Sequence, residues 1–451
     1  MAIALLCLGA TALSCALIYR LKVAVLHEDT GRDRTPTCRA SSPPTPNSEP
    51  EKSKAQIEVL HSAESADATE IDAQKENAIE SDQASSLEFV ARPSNKNRTQ
   101  LGKPTMLFVT NRVLEQGLTP PAEDGEYRLS RSVNFVLENN QAEQSFYCCR
   151  RSGPYNYTEI GSANFFDTLK DIQADQLLFF IHGFSTLPEN AFEQAELLQS
   201  LLDSLYQAGQ RGQSKNPKVE VIPIVWPCDN DFGKVKDYFD DQKAADASGT
   251  AYMRFLQKFL QWREENSTLE NPCLKRVNLL SYSMGSRVLR ESLRLAVKYY
   301  PNTGPSLLFR NVFLSASDVV NTTLEPNAAG AMIPLMSRNV VVYYAADDLA
   351  LRASKVANVG NSAASRRLGH TGPARIEKVP KNVYAIDCDD FNNEYDDPIG
   401  HKYFLEDPRS GNAGLLLRHA WACMRTGRVP IDSSSALPVR RSEILNSERG
   451  L

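Results

Sequence analysis

The stretch Ser281-Tyr282-Ser283-Met284-Gly285 lies between an apolar run, Val277, Leu279 and Leu280, and an arginine-studded segment with helical character that starts at Ser286. Strand, sharp turn and helix in that order lift a hydroxyl above the carboxyl end of a sheet, beside the positive end of a helix dipole. The two backbones nearly touch at such a turn, so the residues two before and two after its tip must be small. Ser281 and Gly285 satisfy that need. Ser283 is therefore the candidate nucleophile. Serine at 281 departs from the usual G-x-S-x-G pattern while keeping its steric logic.

A serine hydroxyl becomes nucleophilic when a base removes its proton and a carboxylate holds that base in orientation. The chain has six histidines. His27 and His61 fall in an N-terminal region set aside below. His182 follows an earlier strand, where an oxyanion loop belongs, and reads as a structural loop residue. His370 lies in a loop rich in Ser, Arg and Gly. His419 lies on the amphipathic segment Ala413 to Met424, as a packed or surface residue. His401, in Gly400-His401-Lys402-Tyr403, follows the last strand on a loop long enough to reach back to the turn. It is the preferred base, with His370 as its main rival.

Four carboxylates stand at strand ends: Asp318, Asp347, Asp348 and Asp387. The chain order serine, acid, histidine favours the Asp347-Asp348 pair, and Asp348 within it, with Asp318 next. An aspartate just before Leu349 to Ala357 is equally a good helix N-cap. A tetrahedral intermediate needs two N–H donors aimed at its oxygen. Met284, directly after the serine, supplies one, and the Gly183-Phe184 loop supplies the other through Phe184.

These side chains need a scaffold that collects strand ends at one edge. Met106 to Val109 and Arg131 to Leu137 read as strands, with Leu118 to Gly125 as the loop between them. Leu177 to Ile181, Val219 to Val225, Val312 to Leu314, Val340 to Tyr344 and Val383 to Ile386 are short apolar runs expected to be buried on both faces. Asn190 to Ala208 and Asp231 to Glu265 have helical character between them. Alternating strands and helices predict an α/β fold, a mostly parallel central sheet with helices on both faces and its site at the carboxyl edge.

Net charge of −5 and the absence of a basic run interleaved with aromatics argue against nucleic acid. Nine scattered cysteines without a C-x-x-C pair point to free thiols rather than zinc or a disulfide framework. No metal or organic cofactor is implied, and no glycine-rich phosphate loop is visible. Residues 1–26 begin with an uncharged, mostly apolar stretch close to the length that spans a bilayer. They read as a single-pass transmembrane anchor or signal-like segment, with the basic residues after it placing the body weakly on the cytoplasmic side. Residues 27–103 are polar, acidic and poor in aromatics, which reads as a disordered linker. The folded domain is expected over 104–428 and a C-terminal tail over 429–451.

The sequence resembles the α/β-hydrolase superfamily, and more closely a bacterial family of α/β hydrolases of undefined function. The resemblance rests on Phe108-Val109-Thr110-Asn111-Arg112, Phe180-Ile181-His182-Gly183-Phe184, Val225-Trp226-Pro227 with Tyr238 and Asp241, the turn around Ser283, Tyr344 to Leu351, and Gly400-His401-Lys402-Tyr403. It implies an α/β-hydrolase fold and serine hydrolase chemistry, and it matches the acid to Asp348. Cys228 stands where serine is commoner. The expectation is a membrane-tethered hydrolase of a small-molecule or lipid-like acyl substrate. The competing expectation is a hydrolase-fold scaffold that acts as a tethered binding module. Neither oligomeric state nor substrate-binding residues are legible.

Overall fold

A computed structural model describes residues 105–116, 130–138, 140–211, 216–229, 235–267, 275–299, 306–358, 366–431 and 439–441. The expected anchor, the linker and the loop Leu118 to Gly125 lie outside these residues. Among the described residues no helix is long and apolar enough to cross a membrane.

The strands in chain order are β1 (Met106–Arg112), β2 (Leu114–Gln116), β3 (Arg131–Phe135), β4 (Ala142–Gly153), β5 (Asn156–Glu159), β6 (Gln176–Ile181), β7 (Val219–Val225), β8 (Arg276–Tyr282), β9 (Phe309–Ser315), β10 (Ser337–Tyr344), β11 (Val383–Asp387), β12 (Glu406–Asp407), β13 (Asn412–Ala413) and β14 (Val439–Arg441). Twelve of them form one sheet in the order β14-β11-β10-β9-β8-β6-β7-β1-β4-β5-β3-β2, and β12 and β13 pair separately. From β11 to β1 every neighbour is parallel. Antiparallel strands flank this centre on both sides, β14 beside β11 and β4 beside β1.

Parallel strands joined by helical crossovers are covered on both faces, so their residues are apolar without a polar alternate. Leu177, Phe179 and Ile181 of β6 face one core with Val277 and Leu279 of β8. Leu178 and Phe180 face the other core with Leu280 and Tyr282. The first core is covered by α1 (Gly161–Asp171), while α2 (Pro188–Arg211) lies over the second. The long α3 (Val235–Glu265) and α4 (Gly285–Tyr299) complete the first side. On the second side α5 (Leu349–Ala357) contributes Leu351, and α6 (Leu415–Thr426) packs Leu416, Leu417 and Trp421.

Four buried amides cross the sheet near the starts of its strands. Asn339 donates to Asn311 and Asn311 to Asn278, each at 2.8 Å, and Asn278 donates to Gln176 at 2.9 Å. Gln176 closes the chain on the carbonyl of Met424, and Asn339 reaches the carbonyl of Gly427. Buried amides are tolerable because each finds a partner, and the row pins the strand register far from the carboxyl edge.

The structure departs from the sequence expectations at the sheet margins. β4 and β5 carry exposed polar and charged positions and were not expected as strands. They form a hairpin closed at Gly153 and Asn156. β3 ends at Phe135, two residues short of expectation. Between α5 and β11 the chain makes a one-turn helix, Leu368–Thr371, and a 3-10 turn, Ile376–Lys378. Residues 439–441, expected in the tail, pair with Tyr384 to Ile386 as an edge strand.

Candidate active site

Ser283 sits between β8 and α4 with φ of +52°, a conformation that non-glycine residues adopt only when their surroundings impose it. Its N–H donates to the Ser315 carbonyl at 2.9 Å, and its own carbonyl accepts from Asp318 N–H at 3.1 Å and Ser286 N–H at 3.2 Å. Those bonds to β9 and the loop beyond it hold the backbone in place. A side-chain carbon at Gly285 would stand 2.4 Å from the carbonyl oxygen of His182, so only glycine fits. At Gly183 the corresponding carbon would meet the Tyr282 ring at 2.9 Å and Ser283 Cβ at 3.1 Å. The serine turn and the 182–184 loop are therefore in contact.

The serine at 281 is fully buried, and its hydroxyl lies 2.9 Å from that of Ser286, which lies 2.8 Å from that of Ser317. This row of hydroxyls gives the departure at the first position of the turn a structural partner.

Nε2 of His401 lies 2.9 Å from Oγ of Ser283, and Nδ1 lies 2.6 Å from Oδ2 of Asp348. With the carboxylate accepting at Nδ1, that nitrogen carries the hydrogen and Nε2 accepts from the serine hydroxyl. Asp348 is fully buried and also caps α5, its Oδ1 accepting from Leu351 N–H at 2.9 Å. Asp348 thus caps the helix and accepts from the imidazole at the same time. Burial pushes its carboxyl pKa up, opposed by the charge and hydrogen bond of His401 and by Leu351 N–H. Burial alone would lower the His401 pKa. The Asp348 carboxylate, with Asp396 and Asp318 beyond it, outweighs that and raises it.

The neighbouring carboxylate does a different job. Asp347 accepts from the side-chain amides of Asn392, at 2.6 Å, and Asn393. Asn392 also donates to the Gly400 carbonyl at 3.0 Å. Asp347 thus ties the β10 end to the loop that carries His401. Asp318 is occupied elsewhere: it accepts from Tyr238 Oη at 2.7 Å and Ser354 Oγ at 2.5 Å, and pairs with Arg367 at 3.1 Å. Asp387, at the end of β11, accepts from Asp389 N–H at 3.2 Å.

The other described histidines make no hydrogen bond to Ser283. His182 stacks on Trp226 at 5.2 Å, its Nδ1 3.0 Å from the Gly183 carbonyl, and burial pushes its pKa down to about 4. His419 is buried against the Tyr343 hydroxyl at 2.8 Å, and burial likewise lowers it to about 4. Both are neutral packing residues. Neither ring nitrogen of His370 hydrogen-bonds a carboxylate or Ser283.

Among the described residues, the N–H groups of Phe184 and Met284 have no hydrogen-bond acceptor in the protein. Ser185, directly after Phe184, has φ of +53°, and its N–H points to Asp241 Oδ2 at 3.5 Å. Asp229, Asp237 and Asp241 bring carboxylate oxygens within 4.8 Å of one another. Burial first, then the charges of Asp229 and Asp237, push the fully buried Asp241 up to about 8. The described cysteines, Cys148, Cys149, Cys228, Cys388 and Cys423, are buried free thiols. Cys228 Sγ stands 3.2 Å from the Thr186 carbonyl, part of the wall behind the 182–186 loop.

Sequence reasoning missed Asp396. Its Oδ2 accepts the N–H of His401 at 2.8 Å and of Lys402 at 2.7 Å. Nothing in its local sequence distinguishes it from the exposed acids around it.

No curated protein matches the sequence. One solved structure it resembles is phospholipase PlaB from Legionella pneumophila in complex with thio-NAD, at 14% identity and a TM-score of 0.21. That match covers 36% of this chain and 31% of the phospholipase chain. A family model described as an α/β hydrolase of unknown function matches residues 159–416, more than half of the 451 residues. That span contains the serine turn, the β10 end with Asp348, and the loop of His401, all at the carboxyl edge of a mostly parallel sheet, and the chain belongs to this family of α/β hydrolases.

Proposed function

We propose that this hydrolase is a serine hydrolase that cleaves an ester or related acyl bond of a small-molecule or lipid-like substrate through an acyl-enzyme. Ser283 Oγ attacks the acyl carbon while His401 Nε2 takes its proton. Asp348 keeps the imidazole in the tautomer that can accept and stabilises the imidazolium that results. The N–H groups of Phe184 and Met284 hold the oxyanion. Collapse of the tetrahedral intermediate expels the leaving group, which takes the proton from His401. Water then adds to the acyl-enzyme with His401 again as base, returning free Ser283 and the carboxylic acid.

The observation that carries this reading is the continuous path from Ser283 Oγ to His401 at 2.9 Å and on to Asp348 at 2.6 Å. A turn with positive φ presents that hydroxyl beside two N–H groups without acceptors among the described residues. The test is covalent labelling of the full chain by a fluorophosphonate probe. The expected result is stoichiometric labelling of the wild type and none in Ser283→Ala. A folded wild type that never labels points instead to a hydrolase fold used as a binding module.

A further inference from the structure

The loop that delivers His401 holds more than a histidine. Between the end of β11 and β12 the chain makes a one-turn helix, Asn392–Tyr395, and then doubles back so that residues 400–402 wrap around Asp396. Three successive N–H groups converge on that residue. Gly400 donates to its main-chain carbonyl at 2.6 Å, while His401 and Lys402 donate to the same carboxylate oxygen at 2.8 and 2.7 Å. A carboxylate gripping two consecutive N–H groups fixes the peptide planes on both sides of the His401 Cα, and with them the direction of the side chain.

We propose that Asp396 is a positioning residue of this site: by accepting the His401 and Lys402 N–H groups it aims the imidazole at Ser283 and sets a second negative charge beside the imidazolium formed during acyl transfer. The proposal rests on the reading of His401 as the base. Asp348 alone holds the far side of the ring through Nδ1, a single contact about which the ring can tilt. Clamping the backbone as well leaves the Nε2 direction determined from both ends. The ring is also flanked by Tyr282, at 5.2 Å between ring centres, which limits sideways movement.

The charges facing the imidazole are Asp348 on the α5 cap, Asp396 on its own loop and Asp318 after β9, with the neutral phenol of Tyr282 from β8. Lys402 is adjacent in sequence, its side chain exposed. The Asp396 charge is one of the influences raising the His401 pKa. The backbone clamp and the charge thus come from one carboxylate and act on one side chain.

The experiment is a histidine-selective NMR titration of the full chain in wild type, Asp396→Asn and Asp396→Glu, with the resonance assigned through His401→Gln. It reads the ring directly, independent of any substrate. The expected result is that Asp396→Asn, which keeps an acceptor oxygen and loses the charge, moves the His401 midpoint acidward by about half to one pH unit. Asp396→Glu, which keeps the charge, is expected to restore most of that midpoint. Asp396→Ser is the second uncharged variant if the asparagine protein does not fold. An unchanged midpoint in a folded uncharged variant overturns the proposal. Fluorophosphonate labelling separates the two readings: a wild type that never labels overturns the serine hydrolase assignment while the titration still decides the place of Asp396.

Discussion

The two oxygens of the Asp348 carboxylate serve His401 and a helix at the same time, Oδ2 at 2.6 Å from the imidazole and Oδ1 on the Leu351 N–H at 2.9 Å. The helix cap orients the carboxylate, and the oriented carboxylate orients the ring. A side chain anchored at one oxygen loses little freedom when the other takes up its functional partner, which favours a well-defined approach to Ser283.

That double use separates stability from activity. Asparagine caps a helix about as well as aspartate, so Asp348→Asn is expected to change stability by less than about 1 kcal/mol. Its amide favours the wrong imidazole tautomer and offers no charge, and the labelling rate is expected to fall on the order of 10³- to 10⁴-fold. Thermal unfolding alongside fluorophosphonate kinetics checks both halves. A variant that labels at the wild-type rate removes Asp348 from the mechanism.

The pH dependence follows from the direction of the His401 shift. A base must be neutral to accept the Ser283 proton, and a raised pKa keeps the ring protonated to higher pH than an ordinary histidine. Labelling is therefore slow in acid and rises through a limb whose midpoint lies above about 6.5. Rate against pH with one probe measures it, and a midpoint below the ordinary histidine value contradicts the balance of charges around the ring.

Asp318, the next candidate acid, is held in a buried network. It is buried and paired with the equally buried Arg367, with Tyr238 and Ser354 donating to the same carboxylate. Removing it in Asp318→Ala leaves the guanidinium without its counter-charge, at an expected cost of roughly 3 to 5 kcal/mol in unfolding free energy. Denaturant unfolding reads that loss. A variant as stable as the wild type shows that the network contributes nothing to holding α3 and α5 on the serine turn.

Asp241 gives a stability prediction of opposite sign to that of most acids. Its folded pKa of about 8 lies above the value near 4 expected of an unfolded aspartate. Between those values the folded state binds a proton that the unfolded state has released, so this residue's contribution to stability declines as pH rises toward 8. Asp241→Asn has no proton to lose. It is expected to flatten that decline and to be more stable than wild type near pH 8, by on the order of a few kcal/mol. Unfolding free energies of both proteins from pH 5 to pH 8 provide the comparison, and parallel curves refute it.

Much of this architecture is carried by local patterns. The runs Leu177 to Ile181 and Val340 to Tyr344 show their two-sided burial directly, because a strand covered on both faces has no solvent-facing position to make every second residue polar. The serine turn is legible because sterics act over two residues on either side of Ser283, and the sequence must answer with small side chains there. The hairpin of β4 and β5 escaped notice because most of its residues are exposed or only partly buried and many are polar, leaving its turn at Pro154 and Tyr155 as the main local sign.

The sequence by itself determined the serine turn, the alternation of strands and helices that a parallel sheet requires, and a short list of acids and histidines, since each is read from patterns within short stretches of the chain. Which members of that list meet was decided by the tertiary structure. Ser283 and His401 are 118 positions apart, and Asp348 and His401 are 53 apart. Their meeting depends on β10 and β11 lying beyond β9 in the sheet and on the turn that Asp396 and Asn392 impose on the last loop. Strand order and loop path are settled by the packing of the whole sheet, and no short window of residues encodes them.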